Sequence, residues 1–433
     1  MSHPSKSKLL HFYLLQLSFE LLKLDSHEES SRMSKEIYEI FLKLSDFNII
    51  GSSKILDQMD KARKSTSEIE RHEKKPSESV ELSNEEDVAI LVCSYFVEML
   101  HKNLFLSPDR LLALCNNLVY YFVSPHTKSY IHSSVRCMFA NQMIEKFMLF
   151  PDLFKIWRKD FWDSFVDSRF FLCSLDLIQV RRRILKFVVT MESDRLEDLM
   201  YRSPYAGGTL FTSKEIEIAN HCSLLKRISF ILFAGEKDQF LHDLPQLTQK
   251  IVELFKIQSK ILWSELLLML RVVLLRFSNQ YLEGLWPIIL THLLQLFLEA
   301  QSETSLDDEQ LGLLFSGCKF LDIMFTLTSD EVLTYQWIFL SDSDVSESSS
   351  GISAIGVLDT LKEIWLKRRS KEPEMPEIAL TRRPILLQSV VTNISEIEEF
   401  IFAVGKHVVH QTIHLLQPDI SFVEQLLEKE YLE

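Results

Sequence analysis

His407, His410 and His414 stand at i, i+3 and i+7 of a helical pattern, so three imidazoles share one face. Such spacing lets a helix hold a metal ion. A closed ligand set also wants a carboxylate or thiolate, and none accompanies them locally, so surface histidines are the simpler reading. Gly207 and Gly208 lie in SPYAGGTLFTS, the only glycine-rich loop. It lacks the GxxxxGKS/T order and the preceding strand of a phosphate cradle, and a connector is expected. HExxH, GxSxG and dinucleotide fingerprints are also missing. Scattered Asp and Glu pairs have no evident pocket. These residues predict no enzyme, no metal and no cofactor. Cys93, Cys115, Cys137, Cys173, Cys222 and Cys318 form no CxxC pair and sit beside apolar residues. Buried thiols in a reducing compartment are expected.

Two basic clusters stand out against a net charge of −14. Arg181, Arg182, Arg183 and Lys186 open a short apolar helix, and a solvated face is the expectation. Lys367, Arg368, Arg369 and Lys371, with Arg382 and Arg383, follow a helix bearing Trp365. Each cation near an anionic leaflet contributes about 1 kcal/mol, so this is a possible anionic-lipid or partner patch. The competing reading is a helix C-terminus whose cations complement the dipole. The acidic balance repels nucleic acid, and no nucleic-acid partner is expected.

The elements that position these residues are helices. With 10 Gly and 12 Pro in 433 residues but 30 Phe, tight hairpin turns are scarce and an all-α fold is expected. The stretch 222–326 is the organising core. Leu224, Leu225, Ile228, Ile231 and Leu232 form one apolar face. Gly235 is expected in left-handed geometry at that helix's end. Leu244, Leu247, Ile251, Leu254 and Phe255 form the next stripe, with Pro245 in a first turn. A third helix, about Ser259–Phe277, is apolar almost all round, so it must be covered on several sides. Helices near Trp286–Ala300 and through Leu311, Leu314, Phe315, Cys318, Leu321 and Phe325 follow. Successive covered and half-covered helices predict an α-solenoid of HEAT or armadillo type, with a closed helical bundle as the alternative. No clean repeat near 40 residues is visible.

Around this core the chain is expected to divide as follows. Residues 1–50 form a helical hairpin, whose first helix, LLHFYLLQLSFELLKL, carries His11, Gln16, Glu20 and Lys23 and reads as amphipathic rather than as a signal peptide. Residues 51–87, charged and serine-rich, are expected as a disordered linker or long loop. Residues 88–340 form the helical-repeat domain, 341–356 a flexible Ser/Asp-rich loop, and 357–433 the C-terminal helices. No uncharged run is long enough to span a membrane.

Several stretches resemble the C-terminal region of the Dopey family. They are LLKRISFILFAGEKDQF, LRVVLLRFSNQYLEGLWPIILTHLLQLFLE, GCKFLD at 317–322 and YQWIF at 335–339; FPDLFKIWRKDFWDSFVDSRFF and DRLEDLM fit upstream. The resemblance implies a non-enzymatic protein of endosome–Golgi trafficking, cytoplasmic and peripheral on Golgi and endosome membranes. It implies two partners, a Sec7-related Arf-exchange-factor-like scaffold and a type IV P-type ATPase lipid flippase. Arg271, Arg276, Trp286 and Pro287 lie in the shared motifs and are read as structural. The two arginines are expected as ion pairs inside the stack, since a charge on a covered helix needs a partner, although a partner-lined groove is the other possibility. A karyopherin-like transport adaptor, also an acidic helical-repeat protein, is the alternative function.

Overall fold

The computed structural model describes residues 17, 39–40, 43, 108–127, 134–201, 214–302, 306–327, 330–340, 356–366, 381–388, 390–391 and 393–432. The expected hairpin of 1–50 (four residues apart), the linker 51–87 and the loop at 341–355 lie outside them, as do the glycine pair and Cys93. The chain forms two compact units, Met1–Ile184 and Leu185–Glu433.

In the first unit, α1 (Pro108–Leu118) runs through a π-helical turn (Val119–Val123) into the short α2 (Ser124–Thr127). Then come α3 (Ser134–Phe147) and α4 (Phe154–Phe165). Pro151 opens a 3-10 turn before α4, where its missing N–H costs nothing. Trp157, Phe161 and Phe165 recur on the inner face of α4 and are fully buried. Phe165 meets Phe170 edge to face at 5.1 Å, the geometry that ring quadrupoles favour.

Helix α5 (Leu175–Met191) carries the first basic cluster. Arg181 departs from the solvated face expected of it: it is fully buried. Its guanidinium lies 4.4 Å from the Phe170 ring centre and donates to the Phe170 carbonyl. The side chain thus occupies the inner face of the helix, where a cation is tolerated because a carbonyl and an aromatic face receive it. Arg183 stays outside and pairs with Glu145.

The second unit contains α6 (Arg195–Tyr201), α7 (Lys214–Ala234), α8 (Leu244–Phe255) and α9 (Lys260–Arg276). It continues through α10 (Trp286–Ser302), α11 (Asp308–Thr326) and α12 (Asp330–Phe339). It closes with α13 (Val357–Leu366), α14 (Ile394–Ile413) and α15 (Ile420–Glu430). Starts are set by side chains: Ser259 accepts from the Leu262 N–H, and Asp307 with Gln310 forms a reciprocal capping box.

Helices α7, α9, α11 and α14 pack side by side in that order; α8 lies on α9, and α10 on α11 and α13. This is the stacked-pair packing of an α-solenoid, and the fold is all-α. Among the described residues the only extended pairing is a single bridge between Arg382 and Pro418. Helix α9 is buried without interruption from Leu266 to Arg276, as a helix apolar on every side requires.

Gly235 corrects another expectation. No described glycine has positive φ; the chain reverses instead at Asp238, with φ 61°. Its carboxylate accepts from the Ser278 N–H at 2.7 Å and its N–H donates to the Arg276 carbonyl at 2.8 Å, which hold the left-handed turn. Gly235 is small for a steric reason: a Cβ there would stand 2.4 Å from a Phe240 ring carbon.

Candidate functional site

Two arginines project from the covered helix α9, and both meet charge inside the unit. Arg271 is 2% exposed. Its Nη1 and Nη2 donate to the two carboxylate oxygens of Glu430, each at 2.6 Å. Such a bidentate fork is the strong, directional form of an ion pair. Lys319, from α11, adds a third contact at 3.1 Å to Glu430 and lies 4.6 Å from the Phe315 ring centre. Burial pushes the Glu430 carboxyl up, but Arg271 and Lys319 outweigh it and hold the group below the usual glutamate range. Nearby Glu265 goes the other way: burial raises it despite Lys226 and Arg271.

Arg276 donates to the Phe233 carbonyl at 2.9 Å and to Glu424 at 2.6 Å. Beside it, the Tyr431 hydroxyl lies 2.5 Å from Ser229 Oγ. The Tyr431 ring stacks on Phe233 and meets Phe230 edge-on. Glu424, Glu430 and Tyr431 all belong to the last turns of the chain. The arrangement therefore clamps α15 across α7, α9 and α11. It neutralises charge and orders helices; it presents no activated nucleophile. Trp286 is buried against Tyr335, and Pro287 stands exposed in the first turn of α10.

The second basic cluster separates. Lys367, Arg368, Arg369 and Lys371 lie outside the described residues. Arg382 and Arg383 belong to an extended strap, 381–388. Arg383 pairs with Asp419 at 2.7 Å and covers the Phe422 ring at 4.6 Å. Arg382 bonds through its backbone to Gln417 and Asp419. The strap is fixed from below by Asp322, which accepts the Ile385 and Leu386 N–H groups at 2.7 Å each. Burial pushes the Asp322 carboxyl up to about 7, against the lowering effect of those two bonds. Sequence reasoning passed over Asp322, although an acid within the apolar run of GCKFLD is a sign of a buried acceptor.

The three histidines do not converge. His407 Nε2 lies 3.0 Å from the Arg383 carbonyl, while the His410 and His414 rings sit 4.3 Å apart. Among the described residues no three His, Cys, Asp or Glu side chains gather as a metal ion would require. Cys115, Cys137 and Cys318 are buried, and burial raises the Cys115 thiol to about 12. A cleft of about 370 Å³ opens between α9, α10 and α11, lined by Lys260, Trp263, Leu296, Leu313 and Leu314. Lys260 bridges its rim to Asp307 at 2.9 Å.

Stacked helices tied by buried ion pairs define a helical-repeat protein. Residues 1–403 match the family described as DOP1 C-terminal, and the chain belongs to that family, the Dopey family of the resemblance above. It is 23% identical over 337 residues to Protein DOP1B of Xenopus laevis, covering 69% of this chain and 14% of that protein. It is 26% identical over 208 residues to the Protein DOP1 homolog of Drosophila melanogaster, covering 47% of this chain and 8% of the other. Protein dop1 of Emericella nidulans is 24% identical over 248 residues, 54% of this chain and 13% of its own length. The matched part is thus a small fraction of these relatives. No solved structure matches. The family is one of trafficking-related proteins. Among the described residues no helix is long and apolar enough to cross a membrane.

Proposed function

We propose that the chain is a helical docking module of a non-enzymatic trafficking scaffold, peripheral on the cytoplasmic side of Golgi and endosome membranes. The observation that carries the reading is the family match over residues 1–403. The chemistry supports it: Arg271, Lys319, Arg276 and Asp322 are engaged in holding helices and strap together, so the outer surface is what remains for partners. Its partners in this reading are the Sec7-related Arf-exchange-factor-like scaffold and the type IV P-type ATPase flippase.

Affinity capture with the tagged chain, followed by mass spectrometry, tests this. Enrichment of the Sec7-related scaffold or the flippase is the expected result. Capture of nuclear transport factors alone would replace the reading with the karyopherin-like adaptor, and capture of neither would remove it.

A further inference from the structure

The turn joining α14 to α15 leaves large aliphatic side chains in the open. Helix α14 presents Lys406, Val409 and Ile413 at i, i+3 and i+7, an exposed stripe that ends on the turn. Ile413 is 69% exposed and Leu415 is 78% exposed; Ile420, opening α15, is exposed as well. Aliphatic side chains this open protrude from the surface.

Leu415 is the sharper observation. The Leu415 N–H bonds the Thr412 carbonyl and the Leu416 N–H bonds the Gln411 carbonyl, a Schellman closure of α14. Glycine usually holds the left-handed position of that motif, yet Leu415 occupies it with φ 49°. A leucine there is unfavourable for the backbone and unfavourable for hydration. Among the described residues neither the helix end nor the core gains from its side chain, which stands open to an outside surface.

Charge says which surface receives it. Arg382 and Arg383 are held against the turn by their bonds to Gln417 and Asp419, Lys406 stands exposed on the same stripe of α14, and the acid on the turn, Asp419, is already paired with Arg383. Among the described residues no carboxylate pairs with Lys406 or with the half-buried Arg382 guanidinium, whose Nε is itself buried. A protruding aliphatic tip flanked by cations complements an anionic bilayer, which accepts apolar side chains without a shaped pocket. We propose that the α14–α15 turn is a membrane-docking tip. In it Ile413, Leu415 and Ile420 enter the boundary between headgroups and acyl chains, while Lys406 and Arg382 face anionic headgroups. The tip deepens the peripheral-membrane part of the reading above and rests on it.

Flotation of the full chain with vesicles of phosphatidylcholine containing about a quarter phosphatidylserine tests the tip. The wild type is expected to float with these vesicles and to be released by high salt. The double variant Ile413→Ser, Leu415→Gly should bind at least about tenfold more weakly, since two aliphatic anchors are lost. Its thermal midpoint should not fall, because glycine suits the left-handed position. Lys406→Glu with Arg382→Glu should weaken binding to the anionic vesicles as well. Failure of the wild type to float, or equal binding by the Ile413/Leu415 variant, would overturn the proposal. So would an apolar-tip variant whose only change is loss of self-association, since the face would then meet a second copy. Partner capture fails or succeeds separately from vesicle binding, so the two readings can be told apart.

Discussion

Replacing Glu430 with Gln removes one negative charge from a place where two cations depend on it. Arg271 is 2% exposed and Lys319 4% exposed, so neither can turn to water without moving a helix. Gln keeps the volume and one acceptor, and the packing of α15 is otherwise untouched. Removing one partner of a buried ion pair typically costs about 3–5 kcal/mol. For a unit of this size each kcal/mol moves the thermal midpoint by roughly 2–4 °C, so a fall of about 6–20 °C is expected. Urea unfolding followed by far-UV circular dichroism measures the loss directly. A second variant separates pairing from packing: Arg271→Met, Lys319→Met and Glu430→Met together should recover most of the stability, because an apolar cluster carries no desolvation cost. The sign with pH follows from the depressed Glu430 pKa. Its contribution is complete above the ordinary glutamate range and is lost as pH falls through the lower folded value. If Glu430→Gln unfolds within about 1 kcal/mol of the wild type at neutral pH, the ion pair does not hold α15 and the clamp is refuted.

Asp322 should act with the opposite sign. Its carboxyl moves from an ordinary 3.8 up to about 7 by burial, so the folded chain holds a proton the unfolded chain has released. Stability is therefore expected to fall between about pH 4 and pH 7. Asp322→Asn, which keeps an acceptor for the two strap N–H groups, should flatten that slope in urea titrations across the range. Gly235→Ala should cost about 1–3 kcal/mol in the same assay, since its methyl group meets the Phe240 ring. An unchanged midpoint would mean that the ring has room to move.

Much of the helical framework is readable from residue spacing because it is a local property. The third helix is expected over about Ser259–Phe277 and runs from Lys260 to Arg276 with Ser259 as its cap. Continuous apolar character demands that this helix be covered, and it is buried along most of its length. The short step from a charged residue on a covered helix to the need for a counter-charge is equally local. Asp322 is legible in part, as an acid in an apolar run. The family match extends over the same helices, and it rests on their sequence, not on any site geometry.

What residue order leaves open is which distant groups meet. The chain has 61 acidic residues, and spacing cannot choose Glu430 from among them as the partner of Arg271, 159 positions away. The same limit explains Arg181, which looks like one of three surface arginines until Phe170 receives it. It explains Gly235 as well, whose size answers to the Phe240 ring and whose turn is made by Asp238. Local sequence sets helical periodicity, capping and the requirement for burial, since those depend on neighbours within a few residues. The three-dimensional packing alone decides which charges neutralise each other and which leucine is left pointing outward, because both depend on contacts the chain makes with itself over long separations.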